Sequence, residues 1–153
     1  MKKISDGWLI VPSIVLLITL IYRLIDQSKM LDFFPLDYVN DWSSYIPQLF
    51  FLKECGFHQY CSYWYNGFTT FLVTPPAWYF FAYLLFLLFD NILYASYFSM
   101  NLLFIIGFVF VYFYGKTNNY SLIKIIVFYS FFFANAIAIG NSVRQGRVVE
   151  LFS

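Results

Sequence analysis

What most constrains this chain is a set of four long apolar runs, at 8–25, 75–91, 92–114 and 121–139. The third holds no charged residue, and the others hold one each, Arg23, Asp90 and Lys124. A helix that crosses a bilayer needs about 20 apolar residues, since the hydrocarbon core is about 30 Å thick. Strands of an outer-membrane barrel would instead alternate over about 10 residues, and these runs do not alternate. Helices also satisfy their own backbone, which lipid requires. The expected fold class is therefore all-α: polytopic transmembrane helices, about four spans, with a long external loop at 26–74.

Composition agrees. The chain has 153 residues, 61% of them hydrophobic and only 11% charged, where a soluble domain averages roughly a quarter charged. One small water-soluble core could not hide that excess. The implied surroundings are membrane lipid, and the implied location is the cell membrane, as a multi-pass protein. A net charge of +1 without any basic run gives no footprint for nucleic acid.

The run behind "MKK" is longer than a signal-peptide core and lacks a small-x-small cleavage site, so it reads as a retained anchor. Arg23 would snorkel out at its far end. Thr74 can cap the second span, with Pro75 and Pro76 in its first turn. Asp90–Asn91 reads as a tight turn, and Trp8, Trp78, Tyr114 and Tyr120 suit an interfacial aromatic belt. Lys2 and Lys3 favour a cytoplasmic N-terminus. Four spans then place 26–74 outside and put Arg144 and Arg147 in the cytoplasm. The polar stretch "GNSVRQGR" is followed by a renewed apolar run from Val148. Residues 1–153 are thus expected to be one transmembrane module, the amino-terminal part of a longer protein.

The loop carries most of the chemistry. Ile46, Leu49, Phe50 and Lys53 recur at helical spacing, Ser44 can cap, Pro47 suits a first turn and Gly56 can end the helix. Such a helix would lie amphipathically on the membrane surface. Asp37 and Asp41 precede it. An external carboxylate can accept a proton, or hold a divalent cation such as Mg or Mn; the plainer alternative is that Asp41 favours the helix N-terminus and Asp37 is solvated. Cys55, His58 and Cys61 form C-x2-H-x2-C, which supplies three zinc-type ligands where a structural site needs four. A Cys55–Cys61 disulfide is open to an external loop, and free thiols are the default expectation. Arg144 and Arg147 have guanidinium geometry suited to a lipid-linked phosphate, or they form an ordinary cytoplasmic basic loop.

The order of these features resembles the amino-terminal module of GT-C-type membrane glycosyltransferases. More narrowly, it is similar to the prokaryotic membrane proteins described as 6-pyruvoyl-tetrahydropterin synthase-related. The pattern falls on Asp37 or Asp41, Gly56, Trp64, Gly67, Pro75, Pro76 and Tyr79, and then on Gly146, Arg147 and Leu151. The resemblance implies many membrane helices, an active site lined by the first external loop, and an acidic loop residue as base or metal ligand. It also implies a polyprenyl-phosphate or polyprenyl-diphosphate sugar as donor. The expected function is sugar transfer from such a donor to an acceptor on the outer face, with Asp41 and Asp37 catalytic and Arg147 and Arg144 at the phosphate. The alternative is a non-catalytic membrane subunit, or part of a flippase or transporter. An ion-coupled transporter is disfavoured, because such proteins bury ionisable groups mid-membrane and the runs hold none centrally.

Overall fold

The computed structural model describes residues 6–33, 41–63, 66–72, 75–144 and 146–147. Lys2, Lys3, Asp37, Trp64, Thr74 and Leu151 lie outside the described residues. The chain is mostly helical. After a 3-10 turn at Asp6–Leu9 come α1 (Ile10–Gln27), a second 3-10 turn at Ser28–Leu31, and α2 (Trp42–Cys55). A short antiparallel hairpin follows, β1 (Tyr60–Cys61) on β2 (Phe68–Thr69), with Tyr60 opposite Thr69. The remaining helices are α3 (Ala77–Phe89), α4 (Ile92–Thr117), α5 (Leu122–Phe133) and α6 (Ala136–Ala138), which continues as a π-helical turn at Ile139–Arg144.

Two helical stretches are long and apolar enough to cross a membrane, Gly7–Leu31 and Ile92–Thr117. A third crossing exists if Leu122–Phe133 and Ala136–Arg144 count as one span bent by 46°. The second of the four expected spans is different. At 13 residues, α3 is only about 20 Å long, short of the roughly 30 Å hydrocarbon core. The fourth run is also not continuous: the Asn135 side chain accepts from the backbone of Ile137 and Ala138 and starts a new helix there.

Local signals explain most boundaries. Asn91 caps α4 by accepting from the backbone N–H of Leu93 and Tyr94, and Ser121 caps α5 by accepting from Lys124. Both are oxygen caps of the kind that satisfies orphan N–H groups. Asp90 stands in the turn with a left-handed backbone, φ 49°. Gly56 ends α2 at φ 87°, a conformation that a side chain disfavours. Helix α2 begins earlier than the Ser44 cap predicts, at Trp42, so Pro47 lies inside it rather than in its first turn. Pro75 and Pro76 precede α3 instead of opening it.

The core corrects one expectation directly. Ile46 and Leu49 are fully buried against α3 and α4 together with Trp42, Trp78, Tyr79 and Met100. Only Phe50 of the expected lipid-facing trio is exposed. The apolar stripe of α2 packs on protein rather than on a membrane surface, because α3 and α4 offer it an apolar wall. Removing each such side chain from water is worth roughly 1.5–3 kcal/mol. Conversely, α1 and α4 expose long apolar faces, including Val15, Ile18, Phe110 and Phe113. Patches that large mark contact with lipid or protein.

Candidate functional site

The start of α2 and the segment after the π-helical turn meet. Arg147 Nε donates to Asp41 Oδ2 at 3.2 Å, bringing together two candidates that stand 106 residues apart in sequence. Asp41 occupies the position just before α2, yet its side chain makes no capping bond to the helix; its carboxylate turns to Arg147 instead. Both side chains remain more than a third exposed, so the pair is reachable from solvent.

Several contacts hold this meeting in place. The buried Trp42 indole N–H donates to Val143 O at 3.4 Å, and the backbone N–H of Arg147 donates to Asn141 O at 3.0 Å. Between them Gly146 takes φ 75°, and a Cβ there would stand 2.6 Å from Trp42 Cγ. Only glycine lets the chain pass the Trp42 ring this closely and in this backbone conformation. The motif residue Gly146 therefore aims Arg147. Trp42 packs edge-on against Trp78, centroids 5.9 Å apart, and the Trp78 N–H donates to the buried Ser99 Oγ at 3.1 Å.

Beside the ion pair lies a cavity of about 260 Å³, formed where the helix breaks at 134–135. Phe104, Phe132 and Phe133 give it an apolar wall, while Asn141, Ser142 and Arg147 give it a polar end. Sequence reasoning found Arg147 but not Asn141 or Ser142, and it ran the fourth span through the break. The signal for the break was Asn135, an N-cap residue inside an apolar run. π-Helical turns of the kind that carries Asn141 and Ser142 are often found at functional sites.

The other candidates fall elsewhere. Arg144 is exposed at the end of the π-helical turn and forms no ion pair among the described residues. Asp37 lies outside the described residues. Cys55 and Cys61 form a disulfide, which corrects the free-thiol expectation and removes both sulfurs from a Cys/His metal site. His58 stacks on Phe57, with centroids 3.9 Å apart. The motif Tyr79 is buried between Tyr45, Phe71 and Trp78, and its hydroxyl has no hydrogen-bond partner among the described residues.

The described residues contain no cluster of three or more His, Cys, Asp or Glu, and a guanidinium already stands at ion-pair distance from the Asp41 carboxylate. A cation there would face that positive charge. No family model, no curated protein and no solved structure matches the chain.

Proposed function

We propose that this chain is a membrane-embedded module of a GT-C-like glycosyltransferase, moving a sugar from a polyprenyl-phosphate donor to an acceptor at the outer membrane face. The observation that supports it is the Asp41–Arg147 pair beside a cavity that is apolar on one side and polar on the other. A lipid-linked sugar phosphate has the same division: an apolar chain, then an anionic head. A guanidinium offers a phosphate two parallel N–H donors. With its guanidinium drawn to phosphate, Asp41 becomes an unpartnered carboxylate next to the reacting sugar.

In the proposed step Asp41 takes the proton of an acceptor hydroxyl. The hydroxyl oxygen bonds to the anomeric carbon as that carbon's bond to the phosphate oxygen breaks. The electron pair leaves with the phosphate, whose charge Arg147 neutralises. No step runs through a metal ion. The external side is supported by the disulfide, since such bonds persist in oxidising compartments.

The test separates chemistry from folding. Asp41→Asn and Arg147→Gln are each made in the complete protein, and sugar transfer from a polyprenyl-phosphate donor is measured in membrane vesicles. Loss of a positioned base lowers the rate about a hundredfold to ten-thousandfold. An exposed ion pair contributes only about 0–1 kcal/mol to folding, so the melting midpoint should stay within roughly 4 °C. Asp32→Asn, in the same loop, is the silent control. Normal transfer by both variants would return the pair to a purely structural tie, and the chain to the docking-subunit or flippase class.

A further inference from the structure

We infer that α3 does not cross the membrane but lies as a half-depth helix in one leaflet, with the acyl chains of that leaflet against its outer face. The inference rests on the membrane setting proposed above. In consequence the chain would cross three times, and Asp41, Asp90 and Arg147 would share one side.

Direction along the bundle comes first. Leu9, at the start of α1, lines one groove with residues from Tyr120 to Phe131 along α5, so these two helices lie side by side, while α5 folds back on α4, the Tyr129 hydroxyl donating to Phe104 O. Near the other end of α1, the Leu24 carbonyl accepts from the Tyr97 hydroxyl in the early part of α4. Helix α4 thus runs opposite to α1, and α5 with its bent continuation runs back again. That continuation ends at Arg147, in contact with Asp41 of the loop that follows α1. An odd number of crossings satisfies this contact. Four crossings would place Arg147 across the bilayer from Asp41.

The helix to be left out is α3, for two independent reasons. It is too short, and it has a companion. Helix α2 runs beside it over its whole length: Trp42 and Tyr45 meet Trp78 at its start, and Lys53 sits over the Phe86 ring near its end, 5.1 Å from the centroid. If α3 crossed, α2 would have to cross with it, carrying the exposed Lys53–Glu54 pair to one side and Asp41 to the other. Charged side chains within the hydrocarbon are strongly disfavoured.

The outer face of α3 fits acyl chains. Phe80, Leu84, Leu87 and Leu88 are exposed at positions i, i+4, i+7 and i+8, one continuous stripe. The opposite stripe, Trp78, Ala82 and Phe86, is buried against α2 and α4. No charged residue interrupts either stripe.

The experiment is single-cysteine labelling at Ser62, Asp90, Asn118 and Arg144 with a membrane-impermeant maleimide in intact cells. Cys55 and Cys61 stay in place, since their disulfide does not react. Ser62→Cys, Asp90→Cys and Arg144→Cys should label alike before and after permeabilisation, whereas Asn118→Cys should gain label several-fold on permeabilisation. Label at Asn118 with protection at Asp90 and Arg144 would mean that α3 crosses, and would overturn the inference. Asn118 and Arg144 decide the parity even if Asp90→Cys does not accumulate. If all four sites exchange behaviour together, the half-depth helix stands and the outer-face assignment of the proposed function falls. Equal labelling of all four in intact cells would overturn both.

Discussion

Gly146→Ala tests whether the passage beside Trp42 is what positions Arg147. The parent backbone there is left-handed, at φ 75°, which disfavours a side chain by about 1–2 kcal/mol. The added methyl would stand 2.6 Å from Trp42 Cγ, and Trp42 is fully buried with its N–H tied to Val143 O. The ring cannot withdraw easily, so overpacking adds about 1–3 kcal/mol. The sum is roughly 2–5 kcal/mol. Local opening of the segment 139–147 takes less free energy than global unfolding, so it will relieve the strain before the bundle unfolds. Hydrogen exchange read by mass spectrometry on peptides covering this segment is the suitable assay. With each 1.4 kcal/mol worth tenfold, exchange should accelerate roughly 30-fold to several-thousand-fold. A second background isolates the cause. In Trp42→Leu the steric part disappears, and Gly146→Ala should then accelerate exchange only about 5- to 30-fold over Trp42→Leu alone. Exchange within about twofold of the parent would refute the argument, as would an equal acceleration in both backgrounds.

Tyr79→Phe removes a buried hydroxyl that has no partner among the described residues. It should stabilise the protein in detergent by about 1–3 kcal/mol, raising the midpoint by roughly 2–12 °C; a lowered midpoint would show that the hydroxyl holds a partner. The Cys55–Cys61 disulfide closes a short loop, six residues in sequence separation, so reduction should remove about 2 kcal/mol and lower the midpoint by roughly 4–8 °C. The double variant Cys55→Ser with Cys61→Ser should melt like the reduced protein and ignore reductant. A shift by reductant in that variant would place the effect elsewhere.

Features set by neighbouring residues were legible in the sequence. Apolar runs gave α1 and α4; α5 starts where its run begins at Ser121, and α2 stops at Gly56. The turn at Asp90–Asn91 was read as such, and the caps that Asn91 and Ser121 supply in the fold, although not anticipated, are equally local, made by side chains that reach only their own turn of helix. Asp41 and Arg147 were each visible as candidates because carboxylate and guanidinium chemistry can be read from residue type. The break at Asn135 was also local, but an N-cap residue within an unbroken apolar stretch is outweighed by hydropathy when only the average is considered.

Periodicity says that a helix has an apolar face, and not what covers it. The stripe of Ile46 and Leu49 would suit lipid or protein equally well, and only the packing of α2 on α3 and α4 assigned it to protein. Hydropathy cannot tell a spanning helix from a short one packed beside a partner, so α3 reads as a span in sequence and measures about 20 Å in the fold. The meeting of Asp41 with Arg147 depends on the path of α4, the bend at 134–135 and the clearance at Gly146 beside Trp42. Contacts across 106 residues arise from the sum of those rotations and lengths, which no local pattern encodes. The sequence by itself determined which runs are apolar, where α4 and α5 start and where α2 stops; which helices pair, and so which charges meet, was decided by tertiary packing.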